Sequence, residues 1–197
     1  MNSFMPVRLL ATLVLLSAQA AFGQNVDRHA PVGYTGAIES VSENEVTLRD
    51  KDGKTVNVAM VEGWTVVKPH PAELSSIRTG AFIASANRDI DAGSGKSTEL
   101  RVMESGYEPE HGTHAMGETG MSMTHGTVSK VSQGPSGIEI DITYPGGGRH
   151  LIVARDVKIV GYDVLQRSVA AQGVKVTAVT RKGPDGVSRA ARLILID

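Results

Sequence analysis

Histidine and methionine side chains are concentrated in one short stretch of the 197-residue chain. Half of the six histidines and three of the seven methionines lie between residues 111 and 125. Imidazole nitrogen and thioether sulfur together suit copper, because methionine favours Cu(I) and histidine accepts either oxidation state. The stretch therefore predicts a candidate copper site made of His111, His114, Met116, Met121, Met123 and His125.

A second interpretation of this stretch stays open, because glycines interrupt it throughout. Ordering a flexible, glycine-rich segment around an ion costs about 1–2 kcal/mol per residue. In the alternative, residues 105–125 are a plain connector, whose methionines fill gaps against a neighbouring domain and whose histidines are only polar. No cofactor is predicted beyond the candidate copper ion.

Composition excludes several other classes of function. The chain has no cysteine, so it holds no disulfide, no cysteine-ligated metal and no thiol nucleophile. Lysine and arginine number 20 against 21 acidic residues, whereas a nucleic-acid binder needs a surplus of positive charge. We therefore predict that nucleic acid is not a partner.

Motifs of catalysis and nucleotide binding fail on their spacing. Residues 93–98 read GSGKST, like the end of a phosphate-binding loop, but Ile90 stands where the first glycine is required. Residues 89–93 resemble the start of a calcium loop, but Leu100 replaces the bidentate glutamate. Neither a zinc-protease nor a serine-hydrolase motif occurs. The chain is predicted not to be an enzyme, and residues 93–98 to be a hairpin turn.

The first two dozen residues have the order of a secretory signal peptide. Arg8 precedes the apolar run LLATLVLLSA, and small residues suited to cleavage follow it. About ten apolar residues are too few to span a bilayer core of roughly 30 Å as a helix. We therefore expect residues 1–23 to be removed, the protein to be periplasmic or secreted, and no segment to span a membrane.

The rest of the chain contains an internal repeat. GAIESV from Gly36 matches GTVSKV from Gly126, and later apolar positions continue the match. We predict two domains, at residues 34–104 and 126–197, joined by the connector 105–125.

Each repeat has mostly the hydrophobic period of two that is typical of strands. Turn residues at Asp52-Gly53 and at residues 146–148 separate the alternating runs, as hairpins require. One segment departs from this rhythm: after Pro71, Leu74 and Ile77 are three apart, which predicts a single short helix.

Three strands, a short helix and two strands form the element order of an OB-type barrel. The predicted fold class is all-β, with two tandem small OB-like β-barrels, each carrying one short helix. A pair of open meanders or SH3-like barrels uses similar strand lengths and is the alternative.

The motifs of the first repeat resemble a bacterial secreted OB-like repeat family of unknown function. They are G-x-[IV]-x-x-V from Gly36, VTLRDKDGK at residues 46–54 and L-x-x-I-x-x-G from Leu74. The resemblance covers residues 36–103 well and 126–196 more loosely. It implies an OB-like fold, tandem copies behind a signal peptide and a periplasmic location, and it supplies no catalytic residues.

A weaker resemblance is to the small periplasmic OB-type copper and silver chaperones, carried by residues 74–80. Their site uses a histidine, a tryptophan and two methionines spaced M-x-M on the barrel wall. Here no methionine follows Trp64 closely, and the M-x-M of Met121 and Met123 lies in the connector. Their mechanism therefore does not transfer.

Together these observations predict an exported, non-catalytic binding or scaffold protein, whose partner is an unidentified periplasmic protein or small ligand. The alternative is a periplasmic protein that binds or buffers copper through its His/Met-rich connector.

Overall fold

A computed structural model describes residues 31–196, and these residues are almost entirely strands, as the all-β prediction expects. The predicted signal peptide at residues 1–23 lies outside the described residues. The strands are, in chain order, β1 Val32–Val41, β2 Glu45–Arg49, β3 Thr55–Pro71, β4 Phe82–Asp89, β5 Ser94–Val102, β6 Gly112–Ala115, β7 Met121–Gly134, β8 Gly137–Tyr144, β9 Gly147–Ala154, β10 Lys158–Leu165, β11 Lys175–Lys182 and β12 Ser188–Leu195.

Helical structure in residues 31–196 is limited to two single turns. Leu74–Ser76 and Arg167–Val169 each form one turn of 3-10 helix. The prediction of a short helix in each repeat is therefore corrected to one turn. Pro71 is the last residue of β3 and does not open a helix, and the chain is already extended again at Ile77, whose side chain is buried.

The hydrogen-bonded sheet closes on itself twice. The first barrel contains β1, β2, β3, β12 and β11, and its closing pair, β3 with β12, is parallel. The second barrel contains β4, β5, β9, β8 and β7, and its closing pair, β5 with β9, is parallel as well. Strand β10 pairs with β3 on one side and with β5 on the other, so it joins the two barrels.

Each barrel combines strands from both sequence repeats. The first takes β1–β3 from one repeat and β11–β12 from the other, so the sheet pairs strands across the predicted boundaries of residues 34–104 and 126–197. Strand β3 extends beyond the first barrel. Its 17 residues continue past β2 to pair with β10, which delivers the chain to the second barrel before the next hairpin forms.

The buried side chains form two separate clusters that follow the barrels. In the first, Ile38, Leu48 and Trp64 from the N-terminal strands pack with Val176 and Leu193 from the C-terminal ones. The second cluster is likewise mixed, with Ile77, Ile83 and Leu100 against side chains of β7–β9. The strand exchange therefore reaches the cores and is not a feature of the edges alone.

The predicted hairpin turns are confirmed. Gly53 and Gly146 both have positive φ, at 78° and 85°, in the turns after β2 and β8. The GSGKST segment begins β5 after a tight turn, in which the Asp91 side chain accepts a hydrogen bond from the Gly93 amide. In the described part of the chain, no helix has the length and apolar character needed to cross a membrane.

Candidate functional site

The His/Met-rich stretch forms a β-hairpin. Strand β6 pairs antiparallel with the first residues of β7, and the other edge of β7 pairs with β4. Residues 112–125 therefore differ from the plain connector that the glycines suggest, because ladder hydrogen bonds hold β7 on both sides. Gly120, at φ 72°, provides the left-handed residue that the turn needs.

The pairing register places five of the six predicted ligands on one face of this hairpin. His114 lies directly opposite Met123, and the Met116 amide donates a hydrogen bond to the carbonyl of Met121. Residues that face each other across an antiparallel pair share a face, and alternate residues repeat it. We call this surface the His/Met face, and its members are His114, Met116, Met121, Met123 and His125.

The opposite face of the hairpin looks into the second barrel. The Thr124 hydroxyl accepts a hydrogen bond from the Asn87 amide nitrogen at 3.1 Å inside that barrel. Thr113 approaches both Thr124 and the Tyr144 hydroxyl at 3.1 Å. The His/Met face therefore points away from the barrel interior.

His125 is the most buried member of the His/Met face, with 7% of its surface exposed. Its Nδ1 is buried and has no hydrogen-bond partner. Burial lowers the pKa of His125 to about 4, with a smaller lowering by the positive charge of Arg181 and an opposing effect of Glu110. The imidazole is thus neutral at pH 7, and an unpaired buried nitrogen of this kind calls for an explanation.

One carboxylate connects the two histidines to the first barrel. Glu110 Oε1 lies 3.2 Å from His114 Nε2, and its Oε2 lies 4.0 Å from His125 Nδ1. Arg181, on β11, donates a hydrogen bond to the same Oε2 at 2.9 Å. The sequence suggests Glu110 only as a spacer or weak oxygen ligand, and it does not mark Arg181 as a site residue.

His111 is separate from the His/Met face. Its Nε2 lies 3.3 Å from Glu108 Oε2, and its ring meets the Phe82 ring edge-on with centroids 5.2 Å apart. Within residues 31–196, no three histidine, aspartate or glutamate side chains are placed to hold a metal ion together. A metal on the His/Met face would therefore need thioether ligands as well.

A buried polar network lies beneath the hairpin, at residues that no sequence motif marks. The Arg149 side chain is 4% exposed, donates from Nε to Asn87 Oδ1 at 3.1 Å, and pairs with Asp89. It also donates to the carbonyls of Ala92 and Ser94. Because these donors are paired, the network is structural and positions Asn87 under the hairpin.

This network also explains the glycine of the GSGKST segment. A Cβ at Gly95 would lie 2.5 Å from Asn87 Oδ1 and 3.1 Å from an Arg149 nitrogen. The glycine therefore makes room for a guanidinium and an amide, and a phosphate has no part in it.

A second buried ion pair fastens the two barrels to each other. Arg192 Nη1, on β12, donates to both oxygens of Glu104, which follows β5, at 2.8 and 2.6 Å. The guanidinium lies between the rings of Tyr107 and Tyr162, 4.0 and 4.4 Å from their centroids. Residues 104–111 thus form a strap that contacts the first barrel at Arg192 and Arg181 before it enters β6.

Comparison with known proteins gave no significant match to a protein-family model, to a curated protein or to a solved structure. The resemblances noted in the sequence therefore stay predictions, and function is argued from the site alone.

Proposed function

We propose that this protein is an exported, non-catalytic copper-binding protein and that the His/Met face holds the ion. The observation that carries the proposal is that His114, Met123 and His125 lie next to one another on one face of the hairpin, with a buried, unpaired nitrogen on His125. Export rests on the signal-peptide pattern of residues 1–23.

The geometry supports a shared ion because the hairpin positions the side chains in advance. Directly opposed residues such as His114 and Met123 have Cβ atoms about 4.5–5.5 Å apart. Long side chains on adjacent positions of this face, such as those of His114, Met123 and His125, can then turn toward one point. Binding an ion on a flexible connector would have to order its backbone. Here folding has already ordered that backbone, because β7 pairs with β4, so ion binding carries less of this entropic cost.

The donor set favours copper over other metals. Thioethers are soft ligands, and imidazoles accept both copper oxidation states. His125 is neutral at pH 7, as a ligand must be. Within residues 31–196, the carboxylate beside His114 and His125 is that of Glu110, which also pairs with Arg181, so a hard ion that prefers several oxygens finds few of them here.

A scaffold function is the second candidate, and the Arg192–Glu104 clasp favours it. A buried pair stacked between two tyrosines holds the barrels in one arrangement, as a module that presents fixed surfaces to a partner requires. We also propose that both barrels are OB-type, since three meander strands closed by a hairpin through one parallel pair agree with that prediction.

Titration of the chain from Gln24 onward with Ag(I), a redox-stable substitute for Cu(I), and with Cu(I) itself tests the copper proposal. Competition with a chromophoric chelator should give one ion per chain and a Kd below about 1 μM. Replacing Met121 and Met123 together by leucine preserves side-chain volume and should weaken binding about tenfold or more.

The matched control is His150→Gln, because His150 lies on the outer surface of β9 and pairs with Asp141. This variant should bind Ag(I) as the unaltered chain does. Binding weaker than micromolar, or binding that the methionine replacements leave unchanged, would contradict the copper proposal and favour the scaffold.

A further inference from the structure

We propose that a cleft between the strap and the β11–β12 hairpin binds a small apolar molecule that carries one carboxylate group. The cleft has a volume of about 320 Å³, within the range of about 300–1,000 Å³ that is usual for small-molecule sites. We call it the strap cleft, and its apolar lining comes from Val61, Tyr107, Pro109, Val179, Val187 and Ala191. None of these residues belongs to the His/Met face, so this site is separate from the proposed copper site.

The apolar lining of the strap cleft lies outside the two cores. Val179 alternates along β11 with the buried Ala178 and Thr180, so its side chain lies on the outer surface of the first barrel. Val187, in the turn that precedes β12, is 43% exposed. An apolar body in the cleft would remove this surface from water, and the burial of apolar area favours binding.

Contacts on both sides of Pro109 hold the wall that the strap gives to the cleft. The Tyr107 ring stacks on the Arg192 guanidinium, 4.0 Å from the ring centroid. On the other side of Pro109, Glu110 accepts a hydrogen bond from Arg181 at 2.9 Å. The ring of Pro109 fixes its own φ. Because this wall is in place before a ligand arrives, binding avoids the entropic cost of ordering it.

The charged side chains that line the strap cleft are all positive. Among the described residues they are Arg181, Lys182 and Arg189. Arg181 pairs with Glu110 and Arg189 pairs with Asp185, and neither carboxylate lines the cleft. Within residues 31–196, Lys182 makes no ion pair. The two pairs compensate their own charges, so Lys182 leaves one surplus positive charge, which favours a ligand with a single carboxylate.

Titration of octanoate into the ¹⁵N-labelled chain from Gln24 onward, followed by amide NMR shifts, tests the proposal. Octanoate combines an apolar body with one carboxylate and should bind saturably, with a Kd below about 1 mM. The largest shifts should fall on the amides of Val61, Val179 and Val187, which line the cleft. Octylammonium, which has the same chain length and the opposite charge, should bind about tenfold more weakly or less.

Two substitutions at exposed residues separate the charge from the apolar contact. Lys182→Gln removes the surplus charge and should weaken octanoate binding about threefold, because the lysine is exposed and water screens it, and should leave 1-octanol binding unchanged. Val187→Ser should weaken octanoate and 1-octanol binding alike. Lys175→Gln is the matched control and should change neither affinity, because Lys175 begins the strand that Lys182 ends and does not line the cleft.

Three results would overturn the proposal of a carboxylate site. The first is an octanoate Kd above about 1 mM, or shifts that map to residues outside the strap cleft. The second is octylammonium binding as tight as that of octanoate. The third is an octanoate affinity that neither Lys182→Gln nor Val187→Ser changes.

Discussion

The two barrels share one strand order and differ in what fills them. The second barrel buries Ser85, Ser97 and Asn87. At the positions that the repeat aligns with these three, the first barrel has Ala178, Ala190 and Thr180. Arg149 corresponds in the same way to Val56. The first barrel is therefore closed around an apolar cluster that includes Trp64, whereas the second also buries several polar side chains beside its apolar cluster.

The same strand order can therefore enclose an apolar or a partly polar core. A fully paired polar network specifies one geometry more strictly than an apolar core does, because each unpaired member carries a large penalty. In the second barrel the network reaches Thr124 on the inner surface of the hairpin. The barrel whose core contains the polar network is thus the one that carries the His/Met face.

Removal of the Arg149 charge from that network should destabilise the protein most. Arg149→Met leaves Asn87, Asp89 and two carbonyls without their donor, which should lower the free energy of unfolding by about 3–5 kcal/mol. Val56→Ala, at the matching position of the first barrel, should lower it by about 1 kcal/mol. Urea unfolding followed by circular dichroism gives both values, and similar losses would show that the network does not distinguish the barrels.

Acid should destabilise the second barrel through His125, lowering the free energy of unfolding by on the order of 2 kcal/mol at pH 5. Burial holds the pKa of His125 at about 4, below the ordinary 6.5, so between these values the unfolded chain binds more protons than the folded one. Stability is therefore complete above pH 6.5 and declines as the pH falls toward 4. Chelator-treated protein unfolded in urea across this range measures the decline, and His125→Gln should remove it. A decline that persists in the variant would assign it to other groups.

The smallest effect concerns the glycine that makes room for the network. Gly95→Ala forces Asn87 or Arg149 to shift, and should lower the melting temperature by an amount that corresponds to about 1–2 kcal/mol. The matching residue of the first barrel is Ser188, which is exposed at the start of β12. Ser188→Ala should change stability by less than about 0.5 kcal/mol. Equal changes of melting temperature in the two variants would mean that Arg149 moves to accommodate the added methyl group without a loss of stability.

The strands could be predicted from the sequence because local signals decide them. Alternation around Val46 and Val58, and turn residues at Gly53 and Gly146, give the right elements in the right order. The exchange of closing strands could not be predicted in this way. Both repeats have the same pattern in their closing hairpins, so the choice between the two hairpins is made by tertiary pairing, which periodicity does not encode.

The sequence predicts the five residues of the His/Met face, but it includes His111, which lies apart from them, and it does not predict the hairpin. Its glycines suggested flexibility, although Met121, Met123 and His125 alternate with Ser122 and Thr124 in the period of a strand. That signal could have identified the hairpin. Glu110 and Arg181 are 71 residues apart, and nothing local marks their contact. Contacts of this range follow from tertiary pairing alone.

Because the closing strands are exchanged, the two barrels cannot be completed in the order in which they begin. All strands of the second lie between Phe82 and Ala154, whereas β1 must wait for β11, and Thr180 contacts a carbonyl 148 residues earlier. During synthesis, strands β1–β3 therefore have unpaired edges, and unpaired strand edges promote self-association. The second barrel can therefore form first, and the first barrel closes only when β11 and β12 at the end of the chain are available.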